Sequence, residues 1–255
     1  MKLNIDFLKK LLIGKSIPRP SSGTLSGHAA GEPFDKLVYR IIKDKYPKNT
    51  YRQYEYLNML FISNPTVTDY DGRVALIKPS SLSYLLSRGE KATVEWTITN
   101  QFQEKQNDTA DIIVVSDDCL VIVDVKTYNQ KKKGQPPNII SAFKLANMCD
   151  LMIKDNQFNS HSIIYVEVWW EEKRATLECT DIYIKELFKA HPNKLYVNWA
   201  AALQIQFHVK TLDQSYKGNV KEWCNEYLKH FTCEAKKRSK SMISKFVKPF
   251  LLNGN

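Results

Sequence analysis

Two short β-branched runs, Ile112 to Val115 and Leu120 to Val123, constrain this chain more than any other stretch. Each is bounded by polar residues, and Ser116, Asp117 and Asp118 lie between them. The pair reads as two strands joined in a hairpin. A turn centred on Asp117 and Asp118 places Asp111 opposite Asp124. Directly opposed residues of an antiparallel pair share a face, with Cβ atoms about 4.5–5.5 Å apart. Lys126 lies two residues past Asp124 and points the same way. The spacing therefore gathers two carboxylates and one ammonium at the end of a hairpin. Register decides this, because a slip of one residue turns every side chain to the other face. Asp-Asp is also a weaker hairpin turn than Asn-Gly.

Two carboxylates this close repel, and one tends to take up a proton. A divalent cation removes the conflict. Mg2+ takes oxygen ligands at about 2.0–2.1 Å, usually one or two carboxylates with waters and substrate phosphate oxygens. The Lys126 ammonium would then bind the attacked phosphate or help to deprotonate a water. The bland alternative is a surface hairpin with an Asp-Lys pair on its polar edge, since D-x-K alone means almost nothing.

At 255 residues the chain is long enough for one large domain or two small ones, and with no internal repeat or linker it is expected to form one domain over 1–255. The formal net charge of +10 suggests a polyanionic partner, nucleic acid or an acidic membrane surface. Cys119, Cys149, Cys179, Cys224 and Cys233 are odd in number, widely spaced and without C-x-x-C, which fits reduced thiols better than disulfides or zinc. The five histidines are scattered and form no metal pair at helical spacing. The N-terminus lacks the uninterrupted apolar stretch of a signal peptide. No segment approaches the roughly 20 apolar residues of a membrane span. The chain is therefore expected in the cytoplasm, with no membrane partner. No Walker A sequence, no G-x-G-x-x-G after a strand and no G-x-S-x-G occurs, which weakens nucleotide-cofactor and serine-hydrolase readings.

Along the chain, residues 14–27 read as a Gly/Ser/Pro loop with basic groups. A helix is expected from Glu32 to Lys45, with Pro33 in its first turn. Glu32 would favour the helix dipole or face the Asp cluster. Residues 51–87 look helical with breaks at Pro65 and Pro79, and Thr93 to Thr99 is ambiguous between strand and loop. After the hairpin, Asn129 to Asn138 carries three lysines, a glycine and two prolines and reads as an exposed loop. Ile139 to Ile153 is expected to be helical. Ser162 to Trp170 reads as a strand, paired with Ala175 to Cys179, and Asp181 to Lys189 as a short helix. Gln204 to Val209 alternates, with Ile205, Phe207 and Val209 inward. One or two helices are expected over Asn219 to Phe250, where lysines would contact phosphate or another subunit, or form a solvated face.

Asp111, the apolar strand after it and Asp124-x-Lys126 resemble the PD-(D/E)xK nuclease signature, with Ala110 in place of its proline. The likeness extends further. Ser22 to Phe34, Glu104 to Asp111, Pro137 to Ala142, Asn198 to Ala202, Gln204 to Val209 and Lys245 to Phe250 resemble the HincII type of type II restriction endonuclease. That resemblance implies an α/β, restriction-endonuclease-like fold, a central mixed β-sheet flanked by helices. It implies a homodimer that cuts double-stranded DNA at a palindrome, with Mg2+ as cofactor. The implied site is GTYRAC or a close variant, cut to blunt ends with 5'-phosphates. By resemblance Asp111, Asp124 and the Val125 carbonyl are metal ligands and Lys126 is the catalytic lysine. Gln135 is similar to a glutamine inserted among bases flanking the site. Asn138, Tyr196 and Asn198 are similar to residues near the recognised bases, and Gln106 to one close to the DNA. Tyr128 stands where an arginine would follow the D-x-K-Thr segment.

The chemistry fits those roles. An amide side chain offers a donor and an acceptor and can read a base edge. A glutamine wedge trades unstacking energy for a bent duplex. Two rivals remain: a repair or recombination nuclease of the same superfamily without strict sequence specificity, and a non-catalytic DNA-binding module.

Overall fold

The computed structural model describes residues 4–19, 28–105, 108–116, 119–131, 134–200 and 203–251, with the backbone alone for 28–32. Helix α1 (Phe7–Leu12) and strand β1 (Ser16–Pro18) precede helix α2 (His28–Lys45) and strand β2 (Thr50–Tyr51). Helices α3 (Gln53–Ile62), α4 (Tyr70–Ala75), α5 (Ser80–Leu86) and α6 (Glu90–Val94) come next. The hairpin strands are β3 (Ile112–Val115) and β4 (Leu120–Asn129). Strand β5 (Asn138–Ser141), helix α7 (Ala142–Asp155), and strands β6 (His161–Lys173) and β7 (Thr176–Glu186) follow. Strands β8 (Val197–Asn198) and β9 (Gln204–Gln206) lead to helix α8 (Val220–Met242).

Among the described residues the central sheet has six strands in the order β1-β7-β6-β4-β3-β2. It is mixed, because β4 and β6 run parallel while the other neighbours are antiparallel. Both faces are covered, so Leu120 through Val125 are all buried and read as one nearly continuous apolar run. Val121, Val123, Val125, Val166 and Val168 pack against Leu8 and Leu12 of α1 and Phe34, Val38 and Ile42 of α2. On the other face Ile113, Ile122, Ile163 and Tyr165 meet Leu57, Leu82, Leu85, Leu145 and Trp223 from α3, α5, α7 and α8. The result is a mixed α/β architecture with the sheet between helical layers. A second, antiparallel sheet of three short strands, β5-β9-β8, sits on the α7 side through Ile140, Val197 and Ile205.

Several sequence expectations need correction. Helix α2 begins at His28, so Pro33 lies inside it rather than in its first turn. Thr93 to Thr99 contains no strand; α6 ends at Val94 and bends follow. Ile139 and Ile140 belong to β5, and the helix starts only at Ala142, where Ser141 Oγ accepts from Lys144 N. The β-branched Ile140 pairs with Ile205 of β9, and Ile139 falls at the register shift between the paired Asn138 and Ile140. Asp181 to Glu186 continues β7 instead of forming a helix, and only Leu187–Lys189 makes a 3-10 turn. The alternation after Gln204 lasts three residues as strand, although Ile205 and Val209 are buried and Phe207 partly so. All five cysteines are free thiols. No helix among the described residues is long and apolar enough to cross a membrane.

Candidate active site

Strand β3 pairs with β4 so that Ile112 faces Val123 and Val115 faces Leu120. This is the register that the hairpin spacing predicts. Ser116 N donates to Cys119 O at 3.0 Å, next to the Val115–Leu120 pair, while Asp117 and Asp118 lie outside the described residues. Asp111, one residue before β3, therefore stands across from Asp124. Val125 N donates to Asp111 Oδ2 at 2.6 Å. Lys126 Nζ donates to Asp124 Oδ1 at 2.9 Å. The three predicted groups are thus brought together at the end of the hairpin.

The electrostatics are those of a crowded acidic pair. Burial, followed by the charge of Asp124, pushes the Asp111 carboxyl up to about 7. Burial pulls Lys126 down, but Asp124 and Asp111 more than offset it and hold the ammonium above the ordinary lysine value. A lysine so held can bind a phosphate oxygen, but it has no lone pair with which to take a proton from water. Asp124 is buried and its Oδ2 has no hydrogen-bond partner. An orphaned buried carboxylate oxygen is costly unless a cation meets it. The donor set suits a hard divalent ion that needs only one or two carboxylates. Among the described residues no three His, Cys, Asp or Glu side chains gather to hold a metal.

The segment leading into Asp111 is tied down by residues the sequence did not flag. Arg52 Nη1 donates to the Asp111 carbonyl at 3.0 Å and to Asp35 Oδ1 at 2.9 Å. Its guanidinium lies 4.4 Å from the Tyr39 ring centroid. Burial pushes Asp35 up to about 6, against the hydrogen bond from Arg52. Ala110 N donates to Gln53 Oε1 at 2.9 Å, and Gln53 Nε2 donates to Leu86 O at 2.8 Å. A proline at position 110 has no N–H to give, so the departure from the nuclease motif is matched here by a bond that only a non-proline makes.

The candidate DNA-facing residues divide. Gln106 lies outside the described residues, as does the side chain of Glu32. Gln135 is exposed on the segment between β4 and β5, Asn138 is exposed at the start of β5, and Tyr196 is 63% exposed before β8. Asn198 sits on β8 and its Nδ2 donates to Gln206 Oε1 at 2.7 Å. Tyr128 packs its ring against His208 and Trp169 at centroid distances of 4.5 and 5.2 Å. Nearby, Glu167 is fully buried and accepts from His208 Nδ1 at 2.8 Å and Lys210 N at 3.3 Å. Glu167 pairs with Lys126 across the β4–β6 ladder, so this link runs from the strand that carries Asp124 and Lys126 to the chain just after β9. Sequence reading missed Arg52, Asp35, Gln206 and the Glu167–His208 pair. Only Gln206 and His208 had a signal, their outward places in the alternating run from Gln204 to Val209.

Comparison with known proteins places the chain in a family. The model of the family described as restriction endonuclease HincII matches residues 8–252. The type II restriction enzyme HindII of Haemophilus influenzae strain Rd is 52% identical over 243 residues, 95% of this chain and 94% of that protein. The type II restriction enzyme HincII of Haemophilus influenzae is 51% identical over the same shares of each chain. With a family match along nearly its whole length and two such relatives, this chain belongs to the HincII family of restriction endonucleases.

Proposed function

We propose that the chain is a Mg2+-dependent, type II site-specific deoxyribonuclease that acts as a homodimer in the cytoplasm. Its substrate is double-stranded DNA carrying a palindromic site, GTYRAC or a close variant, cut to blunt ends with 5'-phosphates. The observation that carries this reading is the Asp111, Asp124 and Lys126 cluster with an orphaned, buried Asp124 Oδ2 at its heart. Asp111, Asp124 and the Val125 carbonyl would hold Mg2+, whose role when bound is to stabilise charge on the phosphate. Lys126 would place its ammonium on the attacked phosphate, set there by Asp124. Water would displace the 3'-oxygen in line, so that the phosphorus keeps the 5' side. Gln135 would wedge between flanking bases, Asn138, Tyr196 and Asn198 would meet base edges, and Gln106 would lie near the duplex. The net charge of +10 supports a polyanionic partner, and the relatives' names support the enzyme class.

Digestion of a sequenced DNA with Mg2+, followed by mapping of the ends, tests the reading. Recurrent blunt ends within one hexamer are expected, and chelation should abolish them. Ends scattered without regard to sequence would instead show a repair or recombination nuclease. Lys126→Ala should still bind duplex while losing cleavage by orders of magnitude. Cutting by that variant at the wild-type rate would remove the assigned role.

A further inference from the structure

Three amide side chains form a row across the small sheet. Asn138 opens β5, Gln206 ends β9 in register with it, and Asn198 lies on β8. Ala200 N donates to Asn198 Oδ1 at 3.0 Å. A backbone N–H only donates, so the atom facing it is the oxygen, and the Asn198 amide can point only one way. Its Nδ2 then meets Gln206 Oε1 at 2.7 Å. An amide has one oxygen and one NH2 group. Gln206 therefore turns its Nε2 to the other side, where it donates to Asn138 Oδ1 at 2.7 Å. The polarity set by one main-chain N–H passes through two side chains to a third. Asn138 is exposed and, among the described residues, its Nδ2 has no partner.

We propose that Gln206 is a positioning residue for sequence specificity. It fixes the amide of Asn138 so that the NH2 group is the part offered to DNA, and the base atom it meets is an acceptor. In the major groove that means a purine N7, a guanine O6 or a thymine O4, and not the amino group of cytosine. Held this way, Asn138 does not have to choose between its two amide orientations when DNA arrives. The inference rests on the reading of Asn138 as base-facing.

The test compares Gln206→Glu and Gln206→Met with Asn138→Ala. Each is assayed for kcat/KM on duplexes differing at single base pairs of the mapped site, for binding to duplex lacking the site, and for melting temperature. Glutamate accepts from both neighbours, so it leaves Asn198 as it is and forces Asn138 to turn its oxygen outward. Gln206→Glu should lower kcat/KM on the wild-type site by about 10–100-fold, the worth of one base contact. Relative to wild type, its preference should move at the base pair that Asn138→Ala affects and at no other. Methionine keeps the length and makes no such bonds, so discrimination at that base pair should flatten without inverting. A Met variant that melts well below wild type is set aside, and the Glu variant decides alone. Three outcomes overturn the proposal. The first is an unchanged profile in the Gln206 variants beside an altered one in Asn138→Ala, which leaves the base-facing reading intact. The second is an equal loss on every sequence, the mark of a merely structural role. The third is a silent Asn138→Ala, which removes the base-facing reading itself and the proposal with it.

Discussion

At the scale of residues, the candidate site is a balance of charges that none of its members satisfies alone. Asp124 gives one oxygen to Lys126 and leaves the other buried without a partner. A cation that fills this place stabilises the native state by mass action, by about 2.7 kcal/mol at a hundredfold excess over its dissociation constant. Mg2+ should therefore raise the melting temperature of the wild type and leave Asp124→Asn unmoved; an equal rise in both would place the ion elsewhere. Arg52 acts one step back. It carries both Asp35 and the Asp111 carbonyl, with little of its side chain exposed. Breaking a buried pair by removing one partner costs about 3–5 kcal/mol, because the other is left behind. Arg52→Met should lose stability of that order in urea titration, and the double variant with Asp35→Asn should recover part of it. A double variant no more stable than Arg52→Met would mean that the Asp35 charge is not the source of the cost. None of this was visible in the sequence, because Arg52 and Asp35 lie 59 and 76 residues before Asp111 with no periodic signal to join them. The Asp111, Asp124 and Lys126 cluster was visible, because two β-branched runs and a short turn-like segment fix which side chains face each other.

Among the elements, local pattern succeeded where a segment's own period decides its state and failed where a neighbour decides it. The hairpin, β6 and α8 carry their own signals and form as expected. Residues 139–141 do not, since a run of apolar residues before a helix reads as the helix's first turn. The ladder to β9 and the Ser141 cap decide the boundary instead. Likewise Asp181 to Glu186 alternates too weakly to announce a strand, and it is β6 alongside that holds it extended. The same dependence on neighbours makes the Glu167–His208 pair consequential. Glu167 is fully buried on β6, and His208 and Lys210 reach it from the chain after β9. His208→Ala would leave that carboxylate with one long main-chain bond, a loss of about 1–3 kcal/mol. It should also loosen the small sheet, so amide exchange measured at Ile205 should rise more than at Ile122. Equal acceleration at both positions would show that the pair stabilises the fold without holding β9.

For the molecule as a whole, buried ionisable groups give folding a pH dependence with opposing parts. Burial holds His161, at the start of β6, down to about 4 from an ordinary 6.5. Its Nε2 is buried without a partner, and Nδ1 faces Ser160 Oγ at 3.0 Å. Between these values the unfolded chain binds the proton and the folded one does not. Stability from this group is therefore fully present above about 6.5 and drains away as pH falls towards 4, by about 3 kcal/mol in all. Asp111 and Asp35 run the other way in metal-free protein. Their folded values of about 7 and 6 exceed the ordinary carboxylate value, so their protonated forms favour the fold. What they add is present below about 4 and is lost as pH rises through 6 to 7. A single melting curve against pH would show only the sum. His161→Leu separates the parts, because leucine fills the site and cannot titrate. The difference in unfolding free energy between wild type and variant should change by about 3 kcal/mol from pH 7 to pH 4, with the wild type losing the more. The carboxylate contributions cancel in that difference. A flat difference across the window would mean that His161 gains its proton in the folded protein as readily as in the unfolded one, and that its burial has no hold on the acid limit of this fold.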